Sequence, residues 1–296
     1  ASRKMKAEFL PDRGVVKIIG DDARHYLNNL VTSELAPVQP GTARFAALLT
    51  PQGKIVADFL VTEAPAGHGG GLLLDCPKPL AAALATKLGF YKLRAKVTVD
   101  NLTDQLGVLA AWGGTPAMMP DLAFPDPRSP ELGYRVLVPQ ELAAKLASVM
   151  GAELVDAAEY EAHRIACGVP SGGLDFAYGD AFPHETNMDR LHGVNFDKGC
   201  YIGQEVVSRM QHRGTARTRT VRLAVDGAAQ AGGDIVADGK TVGTMGSSAG
   251  GRGLALMRLD KVSDALAKGT SLSVGEASVK PVDPADLQLP EKHTAL

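Results

Sequence analysis

Apolar positions in this chain mostly recur in short runs at strand spacing and form helical stripes in only a few places. Val15-Val16-Lys17-Ile18-Ile19 reads as a strand closed by Gly20. Asp21 and Asp22 then offer an N-cap, with Tyr26, Leu27, Leu30 and Val31 on one helical face and Pro37 and Pro40 beyond it. Phe45–Leu49 and Ile55–Val61 read as strands joined by Thr50-Pro51-Gln52-Gly53, a hairpin signal. The glycine-rich stretch 67–71 reads as a loop, with no Walker lysine behind it. Leu72–Leu74 predicts another strand. Pro79–Phe90 predicts a helix through Leu80, Leu84 and Leu88, and Val97 and Val99 alternate as a strand.

Leu106–Trp112 is a continuous apolar run, predicting a buried strand, and the proline-rich stretch 113–132 predicts a loop excursion. Tyr134–Val138 resumes strand pattern. Gln140–Met150 and Ala157–Cys167 predict helices, the second capped by Asp156 and closed by Gly168. Residues 169–195 are irregular, and Gly203–Arg213 predicts a short helix ended by Gly214. Beyond residue 216 the pattern is short strands, with Asp238-Gly239 suited to a type I′ hairpin. The expected organisation is α+β. One domain is made of residues 1–44 and 103–215, a second of 45–102, and a small β-barrel of 216–296.

Composition narrows the picture. The chain has 296 residues, 45% hydrophobic and 22% charged, as a folded globular protein of two or three domains does. A net charge of −2 gives no general pull toward nucleic acid or membrane. No apolar run reaches the ~20 residues of a membrane span. The first residues, Ala1-Ser2-Arg3-Lys4-Met5, lead into no apolar stretch, so no secretory leader is expected. Three dispersed cysteines, Cys76, Cys167 and Cys200, fit a reducing compartment, and the cytoplasm is the expected location. No C-x-x-C pair exists, and no metal site is expected.

Three clusters could carry chemistry. In Lys198-Gly-Cys-Tyr-Ile-Gly-Gln-Glu205, Cys200 lies just before a predicted helix N-terminus, and Lys198 and Arg209 add positive charge. Both effects favour thiolate, so a reactive thiol and an inert buried cysteine stand as alternatives. Arg164-Ile-Ala-Cys-Gly168-Val-Pro170 ends a helix, where its arginine could bind a ligand or close a helix-terminal salt bridge. Pro183-His-Glu185-Thr-Asn187-Met-Asp189 offers carboxylate and amide groups that could read a heterocycle edge, or form a solvated polar loop. Residues 197–222 hold six Lys or Arg against two acids, a patch for an anionic tail or a solvated face. His163, His184 and His192 show no metal-ligand spacing and are expected at the surface.

The segment 198–205 matches K-G-C-Y-x-G-Q-E, the signature of the YgfZ family of folate-binding proteins, which are related to the T-protein (aminomethyltransferase) of glycine cleavage. Arg164-Ile-x-x-Gly168-x-Pro170, Pro183-x-x-Thr186-Asn187, Phe196-x-Lys198 and Arg213-Gly214 resemble further family motifs. Gly20–Leu27 and Leu49–Phe59 resemble its N-terminal part, so the likeness covers about residues 10–280. The resemblance implies a T-protein-like ring of three domains around a folate channel, with a C-terminal β-barrel.

It also implies tetrahydrofolate as ligand and a role in assembly or repair of iron–sulfur clusters in client enzymes, among them one that thiolates tRNA. Cys200, with Lys198 beside it, would carry that activity. Asp58, Arg164, Asn187, Tyr201 and Gln204 would form the folate site, and Glu185 joins them from its place in the polar 183–189 loop, not from the family pattern. A monomer with no membrane and no stable nucleic-acid contact is expected. Two departures weigh against the runner-up, a folate-dependent aminomethyltransferase acting through Asp58. Ala166 stands where T-proteins place a pterin-binding glutamate, and Ala57-Asp58 keeps one of their two aspartates.

Overall fold

The structure, a computed structural model, describes residues 4–156 and 158–291. Its elements in chain order begin with β1 (Lys6–Leu10), β2 (Arg13–Ile19), α1 (Ala23–Asn28), β3 (Ala43–Leu49) and β4 (Ile55–Glu63). Then follow β5 (Leu72–Pro77), α2 (Lys78–Tyr91), β6 (Thr98–Asn101), β7 (Gly107–Trp112), β8 (Ala123–Pro125) and β9 (Tyr134–Val138). Next come α3 (Ala143–Met150), β10 (Glu153–Leu154), α4 (Glu159–Ala166), α5 (Gln204–Arg213) and β11 (Thr218–Asp226). The last are β12 (Asp234–Ala237), β13 (Lys240–Ala249), β14 (Arg252–Arg258), α6 (Leu259–Ala267), β15 (Leu272–Val274) and β16 (Ala277–Pro281).

The chain divides into two compact units. The first comprises Ala1–Leu49, Val56–Tyr160 and Leu191–Ile202. It contains two five-stranded sheets, ordered β10-β1-β7-β9-β8 and β3-β4-β5-β2-β6. β2 is hydrogen-bonded between β5 and β6, so the sheet built from residues 43–101 also takes in residues 13–19. The helix α2 lays Ala81, Leu84 and Leu88 on that sheet at helical spacing, over a core that includes Ile18, Leu48, Phe59 and Leu74. All six residues of β7 are buried, as their unbroken apolar run predicts. The two sheets are bridged by charge. Asp75 on β5 is fully buried and accepts from Arg13 and from Arg135 on β9, each at 2.7 Å.

The second unit comprises Thr50–Ile55, Glu161–Arg190 and Gly203–Leu296. Its centre is a closed six-stranded barrel, β11-β14-β13-β12-β15-β16, around Val221, Leu223, Ile235, Met257 and Val279. Asp238 and Gly239 both adopt positive φ, +49° and +74°, as a type I′ turn demands. The α+β class and the C-terminal barrel are thus as the sequence predicts.

Several local expectations change. Asp22 stands at the N-cap of α1, but its carboxylate accepts from the Lys96 backbone N–H at 2.8 Å instead of capping the helix. The proline-rich excursion contains a short strand, β8, paired with β9. The helix expected from Ala157 begins at Glu159; Ala157 itself lies outside the described residues, as do residues 1–3 and 292–296.

Candidate functional site

The signature segment starts from a turn stitched together over a long sequence separation. After α1, the 28–35 stretch leaves helix geometry, and residues 193–195 run against it. Thr32 Oγ1 donates to the Gly193 carbonyl at 2.6 Å, Asn195 N donates to the Thr32 carbonyl at 2.9 Å, and Glu34 N donates to Asn195 Oδ1 at 2.7 Å. This stitching delivers Lys198 into a cage of main-chain oxygens. Its Nζ donates to the carbonyls of Asn28, Val31 and Ser33 at 2.5, 2.8 and 3.0 Å. Burial pushes the Lys198 pKa down to about 8, against the opposing charge of Glu34.

Residues after the cysteine are anchored as well. The Tyr201 ring sits 5.5 Å from the Lys198 ammonium, is 7% exposed, and has its phenol pKa pushed up to about 12 by burial. Ile202 packs against the core of the β3–β6 sheet. Gly199 and Cys200, between these anchors, are exposed. The arch therefore fixes the backbone on both sides of the thiol and leaves the sulfur open to solvent. Of the two readings of Cys200, inert burial is excluded. Lys198 is corrected in role: its ammonium is directed at carbonyls, so it holds the arch in place.

Cys76 is the opposite case, fully buried, with its pKa raised to about 12 chiefly by burial. The charge of Asp58, half-buried on β4, adds to that rise, and Arg13 opposes it.

In the second unit, α5 begins at Gln204 after Gly203, whose φ of +84° few other residues adopt. The helix is backed by the 50–53 turn. A Cβ on Gly53 would stand 2.9 Å from Val206, and the backbone there has φ +86°, so glycine is required twice over. The turn in turn is zipped to residues 179–181, with Ile55 N donating to the Ala181 carbonyl at 2.9 Å and Gly179 N to the Ile55 carbonyl at 2.7 Å.

From there the chain enters the 183–190 loop, which is welded to β11. Arg219, 4% exposed, grips Asp189 with two bonds of 2.8 Å and also donates to the His184 carbonyl and to Asn187 Oδ1. Asn187, at φ +59°, donates its amide to the Thr220 carbonyl at 2.9 Å. Thr220 returns its N–H and hydroxyl to the Glu185 carbonyl, both at 2.9 Å. His184 is buried, not at the surface, and its ring contacts Gln211 at 2.9 Å.

Arg164 is equally committed. Its five N–H groups go to Glu161 (twice), the Val169 carbonyl, Asp175 and Ser247, and Asp175 also accepts from the Ser171 and Ser247 backbones and the Ser247 hydroxyl. With every donor used, Arg164 has none left for a heterocycle. The salt-bridge reading of this arginine is the correct one, although its key partner, Asp175, eleven residues on, had no local signal. The basic patch is partly consumed, with Arg213 and Arg217 left exposed. Lys198 and Arg219 are held internally, Arg209 pairs with Glu205, and Arg222 with Asp283 and Asp286.

Among the expected folate residues, Glu185 keeps capacity. One carboxylate oxygen accepts from the Phe182 N–H at 2.8 Å, and the group is half-buried. Its pKa is raised, chiefly by burial and further by Asp180, while the Phe182 bond and Lys54 oppose. No group of three or more metal-ligating side chains occurs among the described residues.

Residues 217–289 match the family described as the CAF17 C-terminal β-barrel domain. A mitochondrial iron–sulfur cluster assembly factor IBA57 homologue from Mycosarcoma maydis is 36% identical over 235 residues, 75% of this chain and 58% of that protein. Human mitochondrial IBA57 is 33% identical over 279 residues, 86% of this chain and 77% of the human protein. The chain belongs to the IBA57 family of iron–sulfur cluster assembly factors. It thus spans little more than half of its Mycosarcoma relative's length. The IBA57-type chain also shares a fold with the glycine cleavage aminomethyltransferase T of Bartonella henselae. The TM-score is 0.74 at 16% identity, over 98% of this chain and 88% of that one. Among the described residues, no helix is long and apolar enough to cross a membrane.

Proposed function

We propose that this chain is a tetrahydrofolate-binding accessory factor for the assembly or repair of iron–sulfur clusters, acting through Cys200. The observation that carries the reading is the arch: a solvent-open thiol whose flanking residues, Lys198 and Tyr201, are fixed by hydrogen bonds, a cation–π contact and burial. A fixed, exposed thiol loses little conformational freedom when it meets an iron or a sulfur on another protein. A thiolate is also the ligand that iron–sulfur clusters take. One cysteine supplies one ligand, so the cluster is cargo that passes through a contact with a client enzyme. The IBA57-type relatives are named for this class of work, which supports the reading.

The folate part of the proposal rests on Glu185, and placement in the YgfZ branch rests on the segment 198–205. A reduced pterin presents N–H donors on a flat ring, and a half-buried carboxyl with an oxygen to give is a fitting acceptor. Bound tetrahydrofolate supplies a one-carbon acceptor. In this chain Glu185 would orient it, while Arg164 and Asn187 hold the scaffold. Client enzymes that thiolate tRNA fall within the proposal, as does action as a monomer in a reducing compartment such as the cytoplasm. The relatives carry mitochondrial names.

Complementation tests the role. In cells lacking this protein, the parent chain restores iron–sulfur enzyme activity and the Cys200→Ser variant does not. Full restoration by Cys200→Ser would overturn the thiol's part and return weight to one-carbon transfer through Asp58. Calorimetry with tetrahydrofolate tests the ligand, and the absence of any binding heat removes it.

A further inference from the structure

The C-terminal end of α2 carries a feature that the arch does not use. Phe90 and Leu93 are 83% and 88% exposed, the two most exposed large apolar side chains among the described residues. They are surplus to the core, because α2 buries its other face through Ala81, Leu84 and Leu88. Their charged neighbours along the chain are all basic, and Asp22, bonded to the Lys96 backbone, marks the edge of that rim. Lys92, Arg94 and Lys96 are exposed beside them and Lys87 is half-exposed. From Cys76 to Val99 there are five Lys or Arg and no Asp or Glu, in a chain whose net charge is −2.

The turn that presents this pair is tied down by hydrogen bonds on both sides. Tyr26 donates its hydroxyl to the Leu88 carbonyl, Ala95 N donates to the Lys92 carbonyl at 2.7 Å, and Lys96 N donates to Asp22 at 2.8 Å. Leu93 is held at φ +46°, a conformation that a leucine keeps only when its surroundings impose it. A fluid bilayer asks for no fixed shape. A protein pocket does, and an apolar centre within a charged rim is the anatomy of a protein–protein contact.

We infer that the α2 turn is a docking surface for an acidic face of the client protein, with Phe90 and Leu93 as its apolar anchors. The inference rests on the accessory-factor reading and names where the client would be held. The rim cations speed encounter and set orientation, and the anchors set residence time.

The test uses the full chain and two double variants, Phe90→Ser/Leu93→Ser and Lys92→Glu/Arg94→Glu. Rescue of iron–sulfur enzymes in cells lacking the protein identifies a client, whose purified apo form then serves as the binding probe. The expected result is that each double variant weakens binding at least about tenfold. Wild-type affinity falls as salt rises from about 50 to about 200 mM. Melting temperature and the alkylation rate of Cys200 stay unchanged, since every altered residue is exposed and lies outside the arch. Rescue and apo-client affinity within about twofold of wild type, with wild type active, overturn the docking surface alone. A wild type that restores no enzyme overturns the accessory reading, and the docking surface with it. Co-sedimentation of wild type, but not of the variants, with phosphatidylglycerol-containing vesicles would make the occupant a membrane and overturn the acidic client.

Discussion

Lys198 donates its ammonium to the main-chain carbonyl of Val31 at 2.8 Å, across 167 residues of sequence. The carbonyls of Asn28 and Ser33 complete the cage, so one side chain holds the signature segment against the end of α1. Replacement by methionine keeps the stem and leaves three carbonyls without this donor. We expect Lys198→Met to lose about 1–3 kcal/mol of unfolding free energy in urea, the usual cost of unmatched polar groups. The pH dependence has a definite sign. The lysine's folded pKa, about 8, lies below the unfolded value near 10.5, so between them the unfolded state binds more protons. Wild-type stability therefore gains a rising contribution between about pH 8 and 10.5 that Lys198→Met lacks. Parallel pH slopes for the two proteins in that window would rule out the burial of this ammonium as the cause of its lowered pKa.

How much of this was legible beforehand varies with the range of the interaction. The closed barrel and the Asp238-Gly239 turn follow from alternation and from residues that accept positive φ, both local signals. The helix α2 follows from Leu84 and Leu88 at helical spacing. What the pattern could not supply is pairing between distant polar residues. Arg164 with Asp175 and Ser247, or Arg219 with Asp189, are each one of many possible matches in a linear reading. Charge counting at residues 197–222 is limited in the same way, since it cannot tell Lys198 and Arg219, which the fold holds internally, from Arg209, Arg213 and Arg217, which stay exposed. The motif did locate Cys200, and only the fold showed that its neighbours are anchored while the thiol is open.

The three cysteines should separate cleanly toward iodoacetamide. Cys200 is exposed, Cys167 half-buried and Cys76 buried with its pKa near 12. Alkylation needs both access and thiolate. Brief treatment followed by peptide mass spectrometry should label Cys200 first, Cys167 more slowly, and Cys76 only after denaturation. Cys76 reacting in the native protein would contradict its place in the core.

Arg164 and Asp175 form a buried pair, 4% and 5% exposed, that ties α4 to the Ser171 and Ser247 backbones. Removing one partner strands the other's charge, which costs about 3–5 kcal/mol. Arg164→Ala and Asp175→Ala should each lower the melting temperature sharply. Tetrahydrofolate affinity of the fraction that stays folded should match wild type, because every Arg164 donor is already used. A stably folded Arg164→Ala with weakened folate binding would restore this arginine to the ligand site.

Glu185 should show the reverse balance, with stability and ligand binding moving in opposite directions. Its folded pKa is raised above the ordinary glutamate value, mainly by burial. Between the unfolded and folded values the native state binds the extra proton, so this group's contribution to stability declines as pH rises through that interval. At pH 7 the carboxylate is thus a small net cost to the fold. Glutamine keeps the acceptor for the Phe182 N–H and removes the charge, so Glu185→Gln should melt at or above the wild-type temperature at pH 7, with the difference shrinking at pH 4. The same substitution replaces a charged acceptor by a neutral amide, whose hydrogen bond to a ligand donor is roughly half as strong. Tetrahydrofolate binding, measured by calorimetry, should weaken by about tenfold, in line with the ~1.4 kcal/mol that separates such bonds. Unchanged affinity in a variant that is no less stable would remove Glu185 from the folate site, and with it the residue on which that site is argued.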